Sequence, residues 1–265
     1  MALTNSFERH ITDDVRRRYV FAETRDAAGV ISAACPNEWK EVIEFLREFK
    51  LHTDSLMTPG GSKSKVVEDL EQLFYNHGWE ETRIDSEQVI YKVPKKPREK
   101  KPVKLDGDKG VAQTTAERLG ITGKYPHISV ATTFQEGYLV DALKGKLAVD
   151  IEWNAKDGNL DRDIAAYRAW YDFELIVGAV LITKDLESCR ELITNIWEDY
   201  IAKVPSAKDK NPPVDLRTST TTSIQKAQER IKRGDAGGCP VLIVGITKDT
   251  WDGEPYVPPK ESDAE

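Results

Sequence analysis

The sequence predicts an α/β fold, a central mixed β-sheet flanked by α-helices with an N-terminal helical part, and three observations carry that expectation. Two short runs, Ile176 to Ile182 (IVGAVLI) and Pro240 to Ile246 (PVLIVGI), are almost continuously apolar and rich in branched residues, as strands buried on both faces are. A third run alternates Leu147, Val149, Ile151 and Trp153 with Ala148, Asp150, Glu152 and Asn154, the pattern of a strand with two unlike faces. Around these runs lie segments with apolar residues at helical spacing, and strands alternating with helices build a sheet sandwiched between them.

In chain order, Asn37 to Phe49 places Trp39, Val42, Ile43 and Leu46 on one helical face, with Pro36 suited to the first turn. After the turn signal Thr58-Pro59-Gly60-Gly61, Ser64 to His77 repeats the pattern with Val67, Leu70, Leu73 and Phe74 and stops at Gly78. Glu80 to Val93 alternates too weakly to assign, although Val89, Tyr91 and Val93 share one face of a possible strand. The Pro- and Lys-rich stretch from Pro94 to Asp108 reads as a surface loop or connector. Behind the alternating strand, Leu160, Ile164, Tyr167 and Tyr171 recur at helical spacing, with Asp161 as an acceptable cap. Leu186 to Ile201 is a further amphipathic helix with Cys189, Leu192, Ile193, Ile196 and Tyr200 inward. One domain over 1–258 is expected, with the helical part at about 1–90, the basic loop at about 94–108, the core at about 125–250 and an acidic tail, expected to be flexible, at 259–265.

Composition excludes several classes. An apolar fraction of 39% is too high for a disordered chain, and no run of apolar residues is long enough to span a bilayer. The N-terminal residues mix acids and bases without an apolar core and cleavage site, so no membrane association and a cytoplasmic location are expected. Cys35, Cys189 and Cys239 are odd in number and lack C-x-x-C spacing, which points to buried free thiols. The net charge of −7 is unusual for a nucleic-acid-binding protein, but charge is unevenly distributed, with Lys92 to Lys104 strongly basic. That stretch is either a solvated loop or a phosphate-contacting arm.

Chemistry concentrates around the alternating strand. Asp150 and Glu152 are two apart, so on a strand they project from one face, roughly 7 Å apart. Asp141 lies nine residues before Asp150 across Lys144-Gly145-Lys146, and a hairpin there would bring it beside the same face, which Asn154 extends. Carboxylates so grouped suit Mg²⁺, which takes oxygen ligands and usually needs one or two protein carboxylates. Phosphodiester hydrolysis needs such an ion together with a group that positions or deprotonates water. Acids on a strand are more often a solvated edge; the apolar opposite face and the helix and buried strand that follow favour a site.

Asp141 followed by Asp150-x-Glu152 has the form that defines the PD-(D/E)xK nuclease superfamily. With Val149-Asp150-Ile151-Glu152-Trp153-Asn154-Ala155-Lys156-Asp157, Asp161-Arg162-Asp163-Ile164 and Gly178-Ala179-Val180-Leu181-Ile182-Thr183, the chain resembles the BglII/BstYI family of type II restriction endonucleases. Gly78-Trp79-Glu80-Glu81 and Gly238-Cys239-Pro240-Val241-Leu242 also look familial, so the likeness covers most of the chain. The resemblance implies a restriction-endonuclease-like core and Mg²⁺-dependent, site-specific cleavage of double-stranded DNA, with Mn²⁺ able to substitute. It also implies a homodimer and a cognate DNA methyltransferase as a separate protein. It makes Asp141 and Asp150 metal ligands and puts Glu152 where the superfamily usually has Lys, a place filled by Gln in BglII and Glu in BamHI. Glu152 is then a metal ligand or a general base. A second register, with Glu152 as the second acid and Asn154 as its polar partner, stretches the interval from Asp141 to eleven.

Further readings stay open at this point. Lys156 stands in for the missing Lys, contacts the scissile phosphate, or is a surface residue. Arg162 either meets phosphate at a helix start or pairs with Asp161 or Asp163. His127 reads as structural, and Trp153 as core. DNA contacts are expected from the loops Gly60 to Lys65, Lys208 to Thr222 and Arg230 to Gly238, through Lys63, Lys156, Arg162, Thr220, Thr221, Lys226, Arg230 and Arg233, with Lys232 also suited to phosphate. The other functional classes are a nuclease of repair or phage defence without strict site specificity, and a non-catalytic DNA-binding module.

Overall fold

The computed structural model describes residues 2–59, 64–92, 128–156, 158–214, 216 and 220–258. The basic loop at 94–108, the acidic tail, Lys63 and His127 lie outside the described residues. In chain order the elements are α1 (Phe7–His10), α2 (Asp13–Arg16), β1 (Tyr19–Thr24), α3 (Ala27–Ala34), α4 (Pro36–Glu48), α5 (Thr53–Met57), α6 (Lys65–Tyr75), β2 (Glu80–Arg83), β3 (Ser86–Lys92), β4 (Ile128–Gln135), β5 (Leu139–Lys144) and β6 (Leu147–Ile151). Then follow α7 (Gly158–Asp172), β7 (Gly178–Lys184), α8 (Leu186–Lys203), α9 (Ile224–Arg233) and β8 (Val241–Ile246).

The chain forms two compact units. The smaller, Arg83–Tyr138, contains the antiparallel pair β3 and β4, whose register shifts between Ile90 and Tyr91. The larger contains a six-stranded mixed sheet in the order β1-β8-β7-β6-β5-β2, with helices packed against it. β6, β7 and β8 run parallel, β5 joins β6 antiparallel, and β1 pairs antiparallel with β8 along its whole length. Every residue of β6, β7 and β8 is buried, as expected of parallel strands covered on both faces. This is the mixed α/β architecture that the sequence predicts, a central sheet flanked by helices, and its core lies where the apolar runs placed it.

The local causes are legible in the elements. Pro36 opens α4, which buries Trp39, Val42, Ile43, Phe45 and Leu46. The Ser64 hydroxyl accepts from the Val67 N–H and caps α6. Asp185 caps α8 by accepting from the N–H groups of Glu187 and Ser188, each at 3.1 Å. Cys35, Cys189 and Cys239 are free and buried. Among the described residues no helix is long and apolar enough to cross a membrane.

Four boundaries differ from expectation. The N-terminal part is not purely helical, because Tyr19–Thr24 forms the outer strand β1 against β8. The alternating strand ends at Ile151, so Glu152 and Trp153 lie just past it. The following helix starts at Gly158, which puts Asp161 and Arg162 inside it rather than at its cap and start. The expected loop from Arg230 is the end of α9, capped by Ser223 and stopped at Gly234 with φ +94°.

Candidate active site

The hairpin that joins β5 to β6 turns at Gly145, whose φ of +57° is the left-handed region that glycine enters without steric cost. Its register pairs Ala142 with Val149, which continued one step sets Asp141 opposite Asp150. The two acids grip each other's backbone. The Asp141 N–H donates to Asp150 Oδ1 at 3.0 Å, and Asp141 Oδ2 accepts from the Ile151 N–H at 2.7 Å.

The acid-bearing face is covered by α7. Asp150 is 5% exposed, and its Oδ2 accepts a 2.5 Å hydrogen bond from the Tyr167 hydroxyl. One helical turn earlier, Asp163 is also buried, with Oδ1 accepting from Arg162 Nε at 2.8 Å. Arg162 reaches toward Glu152 as well, 3.9 Å from Oε1. Arg162 thus pairs with Asp163, one of the two partners expected.

Glu152 is held through its backbone. Its N–H donates to the Ile182 carbonyl at 2.8 Å, prolonging the β6–β7 ladder, and its carbonyl accepts from the Thr222 hydroxyl at 3.0 Å. The Thr222 N–H donates to the Ala155 carbonyl at 3.0 Å, and Lys156 bridges to Thr221. Lys184, at the end of β7 and fully buried, donates to the Trp153 carbonyl and, at 3.2 Å, to Asn154 Oδ1. Its ammonium also lies 5.3 Å from the centre of the Trp153 ring, a cation–π contact. The segment from Glu152 to Lys156 is therefore pinned from β7 on one side and from Thr221 and Thr222 on the other.

Burial dominates the electrostatics. It raises the Asp150 carboxyl well above the usual range, with the charges of Asp141 and Asp163 adding to the effect and the Tyr167 hydroxyl opposing it. Burial and then the neighbouring Asp163 push Glu152 up to about 9. Asp163 is raised by burial even though Arg162 opposes the shift. Burial lowers Lys184 to about 8.

Of the other expected contacts, Asn154, Lys156 and Thr220 are exposed and Thr221 is half-buried. Lys226 donates to the Thr221 carbonyl at 2.8 Å. Arg230 is buried and binds Asp161 through two hydrogen bonds, 2.8 and 2.9 Å, which tie α9 to α7. Arg233 is exposed and shared between Asp161 and Asp235. Sequence reasoning gave Asp163 only as a partner for Arg162 and Tyr167 only as part of the helix face, and assigned no role to Lys184 or Thr222. The first two sit four apart on a recognisable helix and could have been flagged as a polar stripe facing the acids, whereas nothing local marks Lys184 or Thr222.

Among the described residues no three His, Cys, Asp or Glu side chains are arranged to hold a metal ion. The donor chemistry nonetheless suits a hard cation, because the carboxylate oxygens of Asp141 and Asp150 are held together across the hairpin, with the hydrogen-bonded Glu152 and Asp163 carboxyls beside them. A family model described as restriction endonuclease BglII/BglIII matches residues 19–246. Comparison with curated proteins gives no match. The matched region runs from the first residue of β1 to the last of β8 and takes in the whole central sheet together with the hairpin and α7. The chain belongs to the BglII/BglIII restriction endonuclease family, and is a DNA-cleaving hydrolase by that membership.

Proposed function

We propose that this protein is a type II restriction endonuclease that hydrolyses phosphodiester bonds at a specific site in double-stranded DNA, with Mg²⁺ as cofactor and Mn²⁺ as a working substitute. The observation that carries the reading is the interlock of Asp141 and Asp150 across one hairpin, with Glu152 immediately beyond, in a chain of this family. Asp141 and Asp150 would hold the ion. Bound there, Mg²⁺ would neutralise charge on the scissile phosphate and make a water molecule acidic.

The protein's own groups supply orientation and proton transfer. Tyr167 and the Asp141 N–H fix the two oxygens of Asp150, so its carboxylate meets DNA in one orientation. Glu152, buried just past the end of β6, accepts a proton from the attacking water once ionised, and the nearby Arg162 guanidinium favours that ionised form. Asn154 and Lys156, both exposed, reach the phosphate backbone, with Thr220, Thr221, Lys226 and Arg233 on the neighbouring surface. Two copies related by a two-fold axis would read a palindrome and place one site on each strand. A separate methyltransferase would protect the host's own sites, with both proteins working in the cytoplasm.

The test is digestion of mixed-sequence plasmid DNA with Mg²⁺, followed by sequencing of the fragment ends. Discrete fragments sharing one end sequence are expected. A smear would replace site specificity with a general nuclease, and intact DNA in both Mg²⁺ and Mn²⁺ would overturn the catalytic reading.

A further inference from the structure

Lys184, the last residue of β7, is fully buried, and among the described residues no carboxylate pairs with it. Its ammonium is boxed in by one neighbouring segment. It donates to the Trp153 carbonyl and to Asn154 Oδ1, and it lies over the Trp153 ring. Burying an ammonium without a counter-ion is costly, and an apolar side chain of similar volume would fill the position without that cost. The reason for the charge therefore lies in what it holds.

What it holds is a side chain on the surface of the site. The backbone from Glu152 to Lys156 is fixed by β7 and by Thr221 and Thr222, so the exposed Asn154 keeps only its side-chain torsions. An ammonium has three donors and no acceptor, so the amide can meet Lys184 only through its oxygen. With Oδ1 at 3.2 Å from Nζ, the amide faces oxygen inward and Nδ2 outward. Unheld, the terminal torsion of an asparagine is broad and roughly two-fold, so the amide would present oxygen as well as nitrogen. The difference matters on DNA, whose phosphate oxygens accept hydrogen bonds and do not donate them.

We propose that Lys184 is a positioning residue that locks the Asn154 amide with Nδ2 turned outward, as a preset donor to a phosphate oxygen of the bound DNA. Fixing the rotor before DNA arrives removes an ordering cost from binding. This rests on the DNA-cleaving reading above and gives Lys184 a part in holding the substrate without touching it.

The experiment is a double-mutant cycle on DNA binding. A labelled fragment carrying one cleavage site of the wild-type enzyme is titrated by fluorescence anisotropy in Ca²⁺. Wild type, Lys184→Met, Asn154→Ala and the double variant are compared, with melting curves for each. Asn154→Ala should weaken binding about tenfold, the scale of a hydrogen bond to a charged acceptor, with little change in melting. Lys184→Met should melt lower and weaken binding about fivefold when Asn154 is present, but no more than about twofold when it is already alanine, because residues acting through one another do not add. Asn154→Asp keeps an acceptor for Lys184 and loses the outward donor, so it should melt no lower than wild type and bind DNA worse than Asn154→Ala. Both Asn154 variants are surface changes and test the inference even where Lys184→Met does not fold. If Lys184→Met weakens binding equally in both backgrounds, or if either Asn154 variant binds as wild type does, Lys184 is a structural clamp on the Trp153 carbonyl and the inference is overturned, with DNA cleavage unaffected. If wild type leaves plasmid DNA intact in both Mg²⁺ and Mn²⁺, the DNA-cleaving reading fails and the inference fails with it.

Discussion

The Tyr167 hydroxyl and Asp150 Oδ2 are 2.5 Å apart, both fully inside the protein, and this bond couples helix α7 to the strand that carries the site. Asp150 sits beneath a helix rather than on an open edge, so its carboxylate is oriented but desolvated, and Tyr167 is the side chain that compensates. Replacing Tyr167 by Phe should cost about 1–3 kcal/mol of stability, the range for a hydrogen bond to an ionisable partner. Urea unfolding with DNA cleavage measured in parallel checks it; cleavage should fall by about tenfold if the lost orientation is worth about 1.4 kcal/mol.

The buried acids predict a pH dependence with a definite sign. Glu152 titrates at about 9 in the folded chain against 4.5 when unfolded, so the folded state binds more protons across that interval. Its contribution is fully present below pH 4.5 and is lost as pH rises toward 9, and Asp150 shifts in the same direction. Melting temperatures of the metal-free protein should therefore fall as pH rises from about 5 to 9, and Mg²⁺ should flatten the decline by favouring the ionised acids. A metal-free melting temperature that rises steadily over this interval would contradict the burial of these groups.

Lys184→Met keeps most of the buried volume and removes the ammonium that holds the Trp153 carbonyl and Asn154 Oδ1. The cost should be about 1–3 kcal/mol from acceptors left unpaired. Because the pinned segment begins at Glu152, cleavage should drop by more than the fraction unfolded accounts for. Single-turnover rates corrected by circular dichroism would show this.

Arg230 and Lys156 should separate cleanly. Arg230→Ala breaks a partly buried pair with Asp161 and should destabilise by about 1–3 kcal/mol, less than the loss of a partner from a fully buried ion pair because the Asp161 side chain is 50% exposed. Lys156→Ala, at an exposed position, should leave stability unchanged and lower the salt dependence of DNA binding by about one ion. Urea unfolding checks the stabilities, and fluorescence anisotropy of labelled DNA at several salt concentrations checks the binding.

How much of this was legible follows from what is local. Helices α4 and α6 announce themselves because Trp39, Val42, Leu46, Leu70 and Phe74 recur at helical spacing beside a proline or a serine cap. The core strands β7 and β8 do so because both faces are covered. Strand β1 was missed because Tyr19–Thr24 is short and mixed, and its place is set by pairing with β8 more than two hundred residues away. Helix α9 was left unassigned, with a loop expected from Arg230, although Ser223, Ile224, Ala227, Ile231 and Gly234 carry a cap, a stripe and a stop. At the site, the hairpin bringing Asp141 to Asp150 was readable from the turn at Gly145 and the nine-residue spacing. The lid was not, because which face of α7 meets β6, and hence the approach of Asp163 and Tyr167, is decided by tertiary packing.

The most direct measurement is Mg²⁺-dependent cleavage by Asp150→Asn compared with wild type, with DNA binding followed separately in Ca²⁺. The amide keeps the shape and removes the charge that the cation would need, so the single-turnover rate should fall at least about a thousandfold, more than 4 kcal/mol in barrier, while affinity for DNA is retained. Cleavage by Asp150→Asn within tenfold of wild type would mean that the paired acids of the hairpin are not the seat of the chemistry.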